Sequence, residues 1–151
     1  MPAVNENLVW EVRAFVYRHF VETTRPPTVD AAAAHAGVSA DDAADLYREL
    51  HQRHALFLEP GTVSVRMANP FSAIPTPFRV HARGKTYWAN CAWDALGISA
   101  ALRCDAVVEA ECADCGSPMT LTVRDGEVGD HGEVVHFLVP FGRWYDDLVF
   151  T

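Results

Sequence analysis

A thiol and a carboxyl stand three residues apart in a largely apolar, aromatic run, Tyr87-Trp88-Ala89-Asn90-Cys91-Ala92-Trp93-Asp94-Ala95-Leu96. On a helix, positions i and i+3 share a face. Cys91 and Asp94 would then lie side by side, with Trp88 and Trp93 close to them. Either group is costly to bury without partners. The pair is therefore a local cap beside a small buried cysteine, or a reactive thiol–acid couple that indoles shield from water. Spacing alone leaves both readings open.

The other thiols offer a second chemistry. Cys112-Ala113-Asp114-Cys115-Gly116 has the spacing of a metal knuckle. Structural zinc takes four ligands, commonly from two such pairs. This chain has four cysteines in all and a single pair at that spacing, so structural zinc is possible but not favoured. Cys112 is expected to be a buried structural cysteine at a strand end, and Cys115 an additional thiol. Cys104 is expected to be buried or idle. His136, in an apolar strand-like stretch, reads as a satisfied core histidine.

The elements that must position these groups fall in two sets. Leu8, Val9, Val12, Phe15, Val16 and Phe20 recur at helical spacing and predict a helix from about Glu6 to Val21. A second helix is predicted over Val29 to Ala36, stopped by Gly37, and a third, capped by Ser39, through about Arg53. Leu56 to Val65 reads as two short strands around Pro60-Gly61. Three helices and a hairpin predict a winged-helix-like N-terminal region over 1–66. Three prolines between Pro70 and Pro77 make 67–78 an extended crossing segment. The remainder, 79–151, is expected to be an α+β core. It comprises a hairpin about Gly84, the Cys91-bearing helix to about Leu102 with Ala95, Leu96, Ile98 and Ala101 buried, and strands at Ala106–Glu111, Met119–Arg124 and Val134–Val139. The fold class is α+β, with the helical region packed on a small mixed or antiparallel sheet.

Net charge is −8 over 151 residues, with acids in excess in both halves. The third helix would place Asp41, Asp42 and Asp45 where a DNA reader meets the groove, so DNA is not an expected partner. No apolar run is long enough to span a membrane. Neither a membrane nor a signal peptide is expected, and the expected compartment is the cytoplasm, where cysteines stay reduced.

Three stretches resemble the organomercurial (alkylmercury) lyase family. Arg83 to Leu96 carries Cys-Ala-x-Asp-x-Leu after a hairpin strand and Tyr/Trp-rich residues, and is the most specific. Glu111 to Val123 and Val135 to Pro140 resemble two later segments, so the likeness covers roughly 60–151. Phe78 stands where the family often has His. The resemblance implies that Cys91 binds mercury and that Asp94 supplies or relays a proton. It further implies an organomercurial substrate, cellular thiols as partners, Hg(II) as product and no required cofactor.

Mercury(II) is soft and prefers thiolates to oxygen or imidazole. Attack by Cys91 on R–Hg⁺ would push electron density onto carbon, and Asp94, held protonated by an apolar site, would deliver the proton. Trp88 and Trp93 would shelter the organic group. The family's second catalytic cysteine falls at or just beyond Thr151, so the chain is expected to be truncated there. Otherwise Cys115 would have to serve as the second mercury ligand. The alternative is a non-catalytic thiol metal binder or a metal-responsive winged-helix regulator.

Overall fold

The computed structural model describes residues 5–130 and 132–147. Three helices come first: α1 (Glu6–Thr23), α2 (Val29–Ala36) and α3 (Ala40–Gln52). Their boundaries are written in side chains that satisfy otherwise unpaired backbone N–H groups. Asn5 accepts from Leu8 N, Thr28 from Ala31 N and Ser39 from Asp42 N. Gly37 closes α2 at φ +66°, a left-handed conformation that costs glycine nothing.

The buried stripe of α1 is Val9, Val12, Val16 and Phe20. Leu8 and Phe15 pack at its margins. Helix α1 packs on α2 and α3, and its C-terminal end meets a single eight-stranded antiparallel sheet. In chain order the strands are β1 (Phe57–Leu58), β2 (Val65–Ala68), β3 (Phe71–Ser72), β4 (Arg79–Ala82), β5 (Lys85–Ala89), β6 (Ala106–Glu111), β7 (Pro118–Arg124) and β8 (Glu127–Val128). In space the order is β1-β2-β3-β5-β4-β6-β7-β8. Phe20 stacks on Phe71 with centroids 5.4 Å apart, and Phe71 meets Tyr87 at 5.5 Å. The Tyr87 hydroxyl donates to Val21 O at 2.8 Å. One core therefore joins the helical layer to the central strands.

The expected hairpin of the N-terminal region is present as β1 and β2, but it is the edge of the same sheet rather than a separate wing. The crossing segment also contributes: β3 bridges β2 to β5.

The inward residues of β6, Ala106, Val108 and Ala110, alternate with Val107, Glu109 and Glu111 as anticipated. Helix α4 (Ala92–Leu102) buries Ala95, Ile98, Ser99 and Leu102. Ala101, expected in that face, is exposed. Gly97 brings α4 close to the crossing segment, since a Cβ there would lie 3.5 Å from Pro70 Cβ.

The predicted strand at Val134–Val139 does not form. These residues run irregularly, with Val134 86% and Leu138 76% exposed. Apolar alternation alone does not make a strand when no neighbour pairs with it. His136 is accordingly exposed rather than a core histidine.

Candidate active site

Cys91 is not inside a helix. It is the N-cap of α4, with extended backbone (φ −151°, ψ 179°), and Asp94 sits in the first turn. The i, i+3 relationship survives in this form, because a cap side chain and the third helical residue face each other. The sulfur makes no capping hydrogen bond. Nonetheless the N–H groups of Asp94 and Trp93 face it closely enough to favour its thiolate. Burial outweighs them and pushes the Cys91 thiol above its ordinary pKa, and the Asp94 charge acts in the same direction. Burial likewise raises the Asp94 carboxyl, against a hydrogen bond from Asn90 that lowers it. Both shifts favour the protonated forms, so Asp94 holds its proton to a higher pH than an ordinary carboxyl.

The pair lines a cavity of about 160 Å³ together with Asn90, Trp93, Phe137 and Trp144. Its remaining lining includes Met67 and Ile74 from the sheet edge and crossing segment. Three aromatic rings form its outer rim. Trp93 and Phe137 meet edge to face at 6.5 Å, and Phe137 stacks on Trp144 at 5.2 Å. The Trp144 indole donates to Val139 O at 2.8 Å. The irregular segment that fails to become a strand thus serves as one wall of the cavity.

Asn90 was not singled out by sequence reasoning. Its Nδ2 donates to Asp94 Oδ2 at 3.0 Å, to Asn69 Oδ1 at 3.1 Å and to Phe71 O at 3.3 Å. Three acceptors around one nitrogen fix the amide orientation. Its Oδ1 is buried without a donor among the described residues. Behind it, Tyr17 donates to Asn69 O at 2.9 Å, and Arg13 to Tyr17 Oη at 3.3 Å. A polar chain therefore runs from α1 to the acid. The available signal was a lone amide next to the cysteine in an aromatic run, but its partners lie far away in sequence.

Other expected participants lie elsewhere. Trp88 does not line the cavity. It is half-buried on β5, where Tyr87 and Ala89 point inward, so the period of two turns it to the opposite face. Cys115 is exposed in the β6–β7 turn and is not brought to Cys91. Cys112 is half-buried rather than deep, because the turn carries it past the last paired rung, Glu111 with Pro118. Hydrogen bonding with the Ser117 hydroxyl, 3.1 Å away, holds the Cys115 thiol below its ordinary pKa. Cys104 is half-buried against the core. The mercury-ligand role expected for Cys91 concerns a substrate atom, and no group of three or more His, Cys, Asp or Glu side chains gathers among the described residues.

Residues 71–150, more than half of the chain, match the model of the MerB alkylmercury lyase family. The chain belongs to the alkylmercury lyase family. The matched region begins at β3 and includes Asn90, Cys91, Asp94 and the aromatic rim. Among solved structures, the mercury-bound form of MerB2 superposes with a TM-score of 0.65 at 25% identity. The match covers 85% of this chain and 61% of that one, so the chain spans less than two thirds of that relative's length. No curated protein sequence matches the chain. No helix among the described residues is long and apolar enough to cross a membrane.

Proposed function

We propose that this protein cleaves carbon–mercury bonds, releasing a hydrocarbon and Hg(II). The observation that carries the reading is the thiol of Cys91 and the elevated acid of Asp94 lining one apolar, aromatic-rimmed cavity. An organomercurial arrives as R–Hg–X, where X is a cellular thiolate. Cys91 forms a sulfur–mercury bond while X departs with the thiol proton. Asp94 then gives its proton to carbon as the carbon–mercury bond breaks, and that bond's electron pair forms R–H. Mercury stays at +2, held by the Cys91 thiolate and the newly ionised Asp94 carboxylate until thiols draw it off. Asn90, already donating to Asp94, stabilises the carboxylate that this step creates.

Trp93, Phe137 and Trp144 exclude water around the carbon. The site operates in a reducing compartment such as the cytoplasm, where Cys91 persists as a thiol.

The N-terminal helices and the β1–β2 hairpin act as a winged-helix-like cap on the catalytic sheet rather than as a DNA reader. On α3, Arg48 is paired with Asp45 at 2.6 Å, and at its C-cap Arg53 is held by Glu6 and Glu49, each at 2.6 Å. These cations are already matched by acids.

The deciding experiment incubates the protein with phenylmercury and excess thiol, with headspace gas chromatography as the readout. Benzene release that disappears in Cys91→Ser supports the lyase. No benzene above that variant would sink it.

A further inference from the structure

The Cys112–Cys115 turn stands apart from the cavity, yet the register brings it to the same end of the sheet as Cys91. Arg79 of β4 pairs with Trp88 on one side and with Glu109 on the other, so these three residues form one cross-strand row. Strands β5 and β6 are both antiparallel to β4 and leave that row in the same direction. Cys91 follows Trp88 by three residues, and Cys112 follows Glu109 by three. The two cysteines therefore emerge from one rim of the sheet, two strand spacings apart, or about 10 Å.

The turn itself is closed by backbone hydrogen bonds. Gly116 N donates to Cys112 O at 2.8 Å, and Cys112 N donates to Ser117 O at 2.9 Å. Gly116 takes φ +70°, the left-handed conformation that lets the chain reverse just after Cys115. The closed turn holds Cys112 and Cys115, three residues apart, on one tight reversal of the chain. Cys115 is exposed and Cys112 half-buried, so both thiols are reachable from solvent.

Two thiolates from one turn suit a soft cation that is content with two ligands. Zinc requires four, and among the described residues no three or more His, Cys, Asp or Glu side chains gather so as to hold a metal ion. Soft d10 cations that take linear dithiolate coordination have no such need, and thiolates select them.

We infer that Cys112 and Cys115 form a second site, a dithiol clamp that binds Hg(II) as a two-coordinate bis-thiolate at the same rim as the Cys91 cavity. Mercury reaches it as a complex with small thiols. Each exchange forms one mercury–sulfur bond to the protein and breaks one to a small thiolate, which leaves carrying the proton that the cysteine gives up. Mercury remains at +2 throughout. The use of this clamp to receive the cation released at Cys91 rests on the lyase reading, whereas the clamp itself does not.

The test uses the full chain as Cys91→Ser, Cys104→Ser, leaving only the clamp thiols. Inorganic Hg(II) is added with excess glutathione, the protein is desalted, and bound metal is read by native mass spectrometry and by the ultraviolet thiolate-to-mercury absorption. The expected result is one retained equivalent, lost when either Cys112→Ser or Cys115→Ser is added, with circular dichroism unchanged in both. Retention of no mercury, or equal retention without Cys115, would overturn the clamp. So would preferential retention of Zn(II) from an equimolar mixture. Because inorganic Hg(II) is supplied to a chain lacking Cys91, failure of carbon–mercury cleavage would leave this result untouched.

Discussion

Asn90 Nδ2 stands 3.0 Å from Asp94 Oδ2, and this single contact opposes the burial that raises the pKa of the acid. It sets how readily Asp94 gives up its proton and takes one back. Arg13, Tyr17 and Asn69 stand behind it in a hydrogen-bonded series, so the helical layer reaches the reacting acid through polar contacts as well as through packing.

Removing that contact should move the pH dependence of catalysis. Asn90→Ala deletes the bond that lowers the Asp94 pKa, so the carboxyl should titrate at a still higher pH. The alkaline limb of hydrocarbon release should shift upward, while kcat falls about tenfold or more, as for loss of a hydrogen bond to a charged group. A pH–rate profile of benzene release checks both. An unshifted limb would mean that Asn90 does not act on the acid.

Asp94→Asn should separate chemistry from stability. Hydrocarbon release should be lost while Cys91 still binds mercury. Because the folded-state pKa of Asp94 is raised, its protonated form stabilises the fold at low pH, and that contribution is lost as pH rises through the folded value. The asparagine does not ionise. Relative to the parent, the variant should therefore melt higher at neutral pH, and the difference should shrink toward acid pH in calorimetric scans.

The aromatic rim should discriminate by organic group. Trp144→Ala removes the ring stacked on Phe137, and aromatic pairs are worth about 0.5–1.5 kcal/mol. KM for phenylmercury should rise about two- to tenfold, with a smaller change for methylmercury. Equal changes for both substrates would indicate general loosening of the cavity.

The seam between helices and sheet should dominate stability. Phe20→Ala empties a fully buried position stacked on Phe71 and should cost about 3–5 kcal/mol. Tyr87→Phe, which loses only the bond to Val21 O, should cost about 1 kcal/mol. Urea denaturation gives both values.

Local signals were legible in the sequence wherever the deciding partner was local. Ser39 and Gly37 mark helix ends through bonds spanning a few residues, and the Val9-Val12-Val16-Phe20 stripe declares its period within one segment. The nearness of Cys91 and Asp94 could be read from spacing alone, because a cap and a first-turn residue are neighbours by construction. The role of Asn90 could not, since it depends on Asn69 and Phe71, about twenty residues upstream. Val134–Val139 misled for a related reason: its apolar residues face a cavity and solvent rather than an adjacent strand. Trp88 was drawn toward the site by closeness in sequence, whereas the alternation of β5 turns it away.

The two outermost strands, β1 and β8, are each only two residues long. A broad sheet that tapers to such narrow margins offers little open backbone for a stranger's chain to zip onto, which is how natural sheets resist fusing with their own kind. Recognition by strand addition needs a longer free margin than either provides. Two-residue margins therefore leave this sheet poorly suited to pairing edge to edge with a second copy of itself.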